Sequence, residues 1–131
     1  MGRNKFIAEF PINASKKMLY PYIQTASGLA QWFADDVNVN EDHIFNFIWE
    51  EEDHKAKMAA HRTNSYVKFE WLPNNEEDED DPQFFELRLE MNELTQSVYI
   101  RVTDYTDFDD NDELNDLWEG LVESLKEVVG G

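Results

Sequence analysis

Residues 110–129, DNDELNDLWEGLVESLKEVV, decide the fold. Leu114, Leu117, Trp118, Leu121, Val122, Leu125, Val128 and Val129 recur at three- and four-residue steps, the spacing that gathers side chains on one face of an α-helix. Asp110 stands at the N-cap position with Glu113 three residues on, acids fill the first turn where the helix dipole favours them, and Gly130 and Gly131 follow the last apolar pair. At about 1.5 Å per residue the segment spans roughly 30 Å, so its apolar stripe needs a broad surface against it.

The preceding residues supply such a surface. Residues 5–11 alternate, with Phe6, Ala8 and Phe10 on one side and Ile7, Glu9 and Pro11 on the other, and predict a first strand. Ser15 is placed to cap a helix with Met18, Leu19, Tyr22 and Ile23 as its apolar face; Pro21, lacking an amide hydrogen, keeps that helix short or bent. Thr25 or Ser27 caps a second short helix carrying Leu29, Trp32 and Phe33 and ending near Asp35 and Asp36. From Val37 onward the period becomes that of strands. Residues 44–49 are apolar on both sides, which leaves their inward parity open; residues 54–62 give a weaker signal; Val67, Phe69 and Trp71 face one way. Phe85, Leu87, Leu89 and Met91 alternate against Phe84, Glu86, Arg88 and Glu90, and Val98, Ile100 and Val102 against Tyr99, Arg101 and Thr103, with a tight hairpin expected at residues 92–95. One oily and one wet face indicate an antiparallel sheet covered on a single side. The expected class is α+β: a curved antiparallel sheet of six to seven strands, two short helices after the first strand, and a long C-terminal helix across the sheet. Between Pro73 and Pro82 six consecutive acids, residues 76–81, cannot pair with one another and predict a mobile, extended loop.

Charge and composition narrow the function classes. The chain of 131 residues has 29 acidic and 11 basic side chains, a formal net charge of -18. A field of that sign repels phosphate backbones and anionic lipid, so neither nucleic acid nor a membrane surface is an expected partner. The acids serve either as a solvated surface or as an attraction for a basic protein partner. The absence of cysteine removes thiolate chemistry and fits a reducing cytoplasm. Residues 1–10 hold no apolar signal core, and no run approaches the roughly 18 apolar residues of a membrane span. A cytoplasmic protein with one domain over residues 1–131 is expected.

Motifs for catalysis or metal binding do not assemble. Asp107, Asp109, Asn111 and Asp112 suggest a calcium loop, but its sixth position is Asp112 where glycine is needed and its twelfth is Trp118 where a bidentate glutamate is needed. His43, His54 and His61 are scattered, and no nucleophile elbow, phosphate-binding loop or dinucleotide fingerprint occurs. No enzyme chemistry, cofactor or metal is expected. The aromatic side chains say more. Trp32, Phe47, Trp49, Phe69, Trp71, Phe85 and Trp118 are expected to line or neighbour a space between sheet and final helix that takes a small hydrophobic molecule or lipid; a solid aromatic core is the alternative.

Residues 29–37, LAQWFADDV, together with 45–49 (FNFIW), 67–71 (VKFEW) and Leu117-Trp118, carry a family resemblance that runs over nearly the whole chain. The sequence resembles START-like, Bet v 1-like proteins of the helix-grip fold, and within them the branch similar to the activator of Hsp90 ATPase homologue 1, in its small single-domain bacterial form. The resemblance implies the helix-grip architecture. It also implies two kinds of role, because relatives in that branch stimulate the Hsp90 ATPase whereas wider relatives hold lipids, hormones or polyketides in a cavity. A hydrophobic-ligand module is therefore expected first, a co-chaperone-like protein contact second, and a cyclase- or hydrolase-like enzyme third.

Overall fold

The computed structural model describes residues 3–73 and 75–130. The chain runs β1 (Asn4–Pro11), α1 (Lys16–Gln24), α2 (Ala26–Leu29), β2 (Asp36–Val39), β3 (Ile44–Trp49), β4 (Glu52–Arg62), β5 (Tyr66–Trp71), α3 (Glu76–Asp80), β6 (Phe84–Met91), β7 (Val98–Thr106) and α4 (Asn111–Val129). All strand pairings are antiparallel, in the order β1-β7-β6-β5-β4-β3-β2, so the first two strands in sequence form the two edges of one curved open sheet. A register shift between Met58 and Ala60 puts a bulge in β4, a device that bends a strand.

Register puts one oily face inward. Phe10, Ile100 and Leu89 align across β1, β7 and β6; one rung along, Ala8, Val102, Leu87 and Val67 align, and then Phe6, Asp104, Phe85 and Phe69. In β3 the inward residues are Phe45 and Phe47, which settles the parity that the sequence leaves open. The opposite face is charged: Arg101 donates to Glu9 Oε2 (2.8 and 3.0 Å) and to Glu90 Oε1 (3.2 Å) across three strands. Such exposed pairs contribute about 0–1 kcal/mol each.

Helix α4 begins where the sequence predicts: the Asp110 side chain accepts the Glu113 N–H at 3.1 Å, and Gly130 ends the helix in the left-handed conformation at φ 76°. Leu114, Trp118, Val122 and Leu125 are buried against the inner face of the sheet, together with Phe6, Phe85, Leu87, Ile100 and Val102. Leu117 departs from the expected stripe and is 55% exposed. It lies about 100° round the helix from Trp118, on the flank of the buried stripe.

Four other expectations are corrected. In α1 Tyr20 is buried with Leu19 and Ile23, whereas Met18 points outward; the helix runs through Pro21 and ends three residues later. Helix α2, capped by Thr25, stops at Leu29, so Trp32 and Phe33 lie in the turns after it. The hairpin between β6 and β7 is wider than 92–95: Asn92 N–H donates to the Ser97 carbonyl, and Asn92 Oδ1 accepts from Leu94 and Thr95. The acidic run is a short helix rather than an extended loop. Two residues of the run meet a cation far away in sequence: Arg3 donates to Asp78 Oδ1 at 2.6 Å and to the Asp81 carbonyl, and also to Asp107 beyond the run. Those acidic partners hold the Arg3 pKa well above its ordinary value, the hydrogen bond to Asp107 first.

Candidate functional site

Beside α4 the core opens. A cavity of about 410 Å³ is lined by Phe33, Trp49, Trp71 and Phe85 from the sheet side, by Leu114, Leu117, Trp118 and Leu121 from α4, and by Asp104, Thr106 and Phe108 from the end of β7 and the turn that follows. Its position follows from the flank just described. Leu117 and Leu121 on the flank of α4 join Leu114 and Trp118 of its buried stripe in the lining, and Phe108 (45% exposed) and Leu117 are its exposed apolar residues.

Phe33 organises the walls. It meets Phe47 and Trp49 edge-on at 5.2 Å, Phe85 at 4.9 Å and Trp118 in a stacked arrangement at 5.7 Å. The turn bearing Phe33 is pinned to β3, because Trp49 Nε1 donates to the Phe33 carbonyl at 2.8 Å and Asp35 takes the Glu50 N–H on its Oδ2. That last bond matters locally: Glu50 and Glu51 form the β3–β4 turn with φ of 51° and 68°, a left-handed geometry that side chains disfavour.

Of the seven residues expected to line or neighbour the space, Trp49, Trp71, Phe85 and Trp118 stand in its wall. Phe47 and Phe69 are fully buried one layer beneath, packed on Trp71 and Phe85 respectively. Trp32 lies behind Phe33, its Nε1 donating to the Tyr22 carbonyl. The aromatic set is thus a solid core that continues into a cleft at one end. Phe33 was visible in the sequence as an aromatic but not as a wall. Asp104, Thr106 and Phe108 had a signal too, since the period-two pattern Val98, Ile100, Val102 extends inward to Asp104 and Thr106 once the strand is carried past Thr103.

Asp104 is the single acid in that wall. Its Oδ2 accepts Trp118 Nε1–H at 2.9 Å, and burial raises its pKa above the ordinary carboxylate value, with the indole bond working in the opposite direction. Thr106 Oγ1 is committed to Gln83 Oε1 and the Phe108 N–H. A larger groove, about 740 Å³, lies between the residues before α1 and the β6–β7 hairpin, but Asn13, Ser15, Lys16, Thr95, Gln96 and Ser97 make its walls polar. The three histidines stay apart, and among the described residues no group of three or more His, Cys, Asp or Glu is arranged to hold a metal ion.

Comparison with known proteins agrees with this architecture. A family model of the START-like superfamily domain matches residues 1–131. Among solved structures the chain is similar to BfR322 from Bacteroides fragilis, at 35% identity over 98% of this chain and 92% of that one, with a TM-score of 0.64. The Aha1 dimer from Colwellia psychrerythraea (19% identity, 96% of each chain, TM-score 0.75) and BH1534 from Bacillus halodurans (16% identity, 98% and 99%, TM-score 0.72) share its fold. A search of curated proteins finds no match. With a seven-stranded antiparallel sheet packed on a C-terminal helix and a match over its full length, the chain belongs to the START-like superfamily.

Proposed function

We propose that this START-like domain is a non-enzymatic module that holds a small hydrophobic molecule between the sheet and α4, acting in the cytoplasm as one domain. The observation that carries the reading is the cavity of about 410 Å³ walled by Phe33, Trp49, Trp71, Phe85 and Trp118 and rimmed by exposed Phe108 and Leu117. Small-molecule sites are concave, mostly apolar and roughly 300–1,000 Å³, with few polar groups fixing orientation. The wall has that character. Among the described residues Asp104 stands in it without a second titratable group, which supports binding rather than paired acid–base chemistry.

A thermal-shift screen with lipids and small aromatics tests the proposal. A ligand at a hundred times its Kd stabilises the fold by about 2.7 kcal/mol, and Leu121→Trp, which fills the cavity from α4, abolishes the shift. A broad library without a single stabilising compound, or a response unchanged by Leu121→Trp, contradicts it.

Protein contact of a co-chaperone kind, with an Hsp90-type partner as the branch resemblance implies, is the second reading, and the charge of -18 favours it. Association steered by that charge weakens steeply with salt. A pull-down at low salt followed by a high-salt wash separates it from ligand binding: a chaperone retained only at low salt supports it. Among the described residues no helix is long and apolar enough to cross a membrane.

A further inference from the structure

Asp104 is an anomaly in its surroundings. On the strands at either side its cross-strand neighbours are Phe6 and Phe85, and from α4 it meets Trp118; none of these carries a charge. Its Oδ2 is held by the indole N–H, and among the described residues no side chain or backbone donor reaches Oδ1. Among the described residues no cation forms an ion pair with Asp104: Arg3 serves Asp78, Asp81 and Asp107, and Arg101 serves Glu9 and Glu90. The carboxylate in the cavity wall has a neutral donor on one oxygen and, among the described residues, no cation as a partner.

Resting on the ligand-binding reading above, we infer that the molecule this cavity takes carries a protonated amine on an aromatic or otherwise apolar body, with Asp104 as its counter-ion and the specificity-determining residue of the site. Three features converge on a cation. A carboxylate in an apolar wall is costly unless an opposite charge with a hydrogen-bond donor faces it, and an ammonium supplies both. Trp49, Trp71, Trp118, Phe33 and Phe85 line the same space, and aromatic rings attract organic cations that have left water. The net charge of -18 raises the local concentration of any cation arriving at the rim. A neutral hydroxyl would satisfy the free oxygen but not the charge.

The discriminating measurement is calorimetric titration of the full chain with tryptamine and with tryptophol, which share an indole body and differ in bearing an ammonium or a hydroxyl. The amine binds about tenfold tighter or better. Asp104→Asn removes that ratio, whereas Asp116→Asn, which deletes an equal charge from an exposed position on α4, keeps it. The ratio also falls on acidification as Asp104 takes up a proton; Phe6, Phe85, Trp118 and Thr106 around it do not titrate there. Equal affinities in the natural sequence, or a ratio that survives Asp104→Asn, overturn the amine inference while leaving the cavity reading intact. Failure of both compounds to bind overturns the two together.

Discussion

The carboxyl of Asp104 lies in a row of phenylalanines, Phe6, Phe85 and Phe69, and its environment has a consequence for stability as well as for binding. Burial favours the protonated form in the folded state, so the group's stabilising contribution is fully present below its ordinary pKa of 3.8 and is lost as pH rises through the raised folded value. At neutral pH the ionised group is therefore a burden on the fold. Asp104→Asn keeps an amide oxygen for Trp118 Nε1 and removes the charge, so its melting temperature at pH 7 exceeds that of the natural sequence, and the gain vanishes as pH falls to about 3. A loss at neutral pH, or a gain that does not depend on pH, contradicts this account. At this scale the sequence was legible where parity was strict: Trp71 and Phe85 follow from alternation and Trp118 from helical spacing, whereas Trp49 ends a run that is apolar on both sides and whose parity alternation leaves open. Leu117 was misread because a wheel position at the flank of a stripe scores as apolar whether or not the sheet reaches it.

Elements meet through positions whose importance periodicity does not register. A Cβ on Gly28 would lie 2.2 Å from the Pro21 carbonyl oxygen and 2.7 Å from Tyr22 Cα, both backbone atoms of α1. Helices α1 and α2 pack through that contact, and the turn after α2 carries Trp32 and Phe33 into the core. Gly28→Ala forces the two helices apart and costs about 3 kcal/mol, at the upper end of overpacking effects; a denaturant midpoint unchanged by the substitution contradicts it. Helix α3 shows the complementary limit. Six acids in a row do repel, but Arg3, which holds Asp78 and Asp81 of the run, lies some seventy-five residues away just before β1, beyond any local reading. Arg3→Ala releases α3 from the end of the sheet, and amide hydrogen exchange across residues 76–81 then accelerates while exchange in β6 is unaffected. Equal protection of α3 in both proteins would mean that something other than Arg3 holds it.

For the whole molecule, strand alternation and one long amphipathic helix were enough to give an α+β sheet-and-helix architecture, and the family resemblance named it. The cavity was legible only as a possibility of shape. Its lining comes from parts of the chain far apart in sequence, Phe33, the strand ends at Trp49, Trp71 and Phe85, and Leu117 and Leu121 of α4, which no single period brings together. Phe47 and Phe69, as oily as their neighbours and on the same face, turned out to fill the core rather than line the opening. The four indole N–H signals of the protein report the distinction directly, because Trp49, Trp71 and Trp118 line the cavity whereas Trp32 lies behind Phe33 with its N–H on Tyr22. In a nitrogen-15 correlation spectrum titrated with the best compound of an apolar library, the account predicts saturable shifts of the first three indoles with Trp32 unmoved. No saturable indole shift for any compound, or shifts confined to the charged outer face of the sheet, would contradict it.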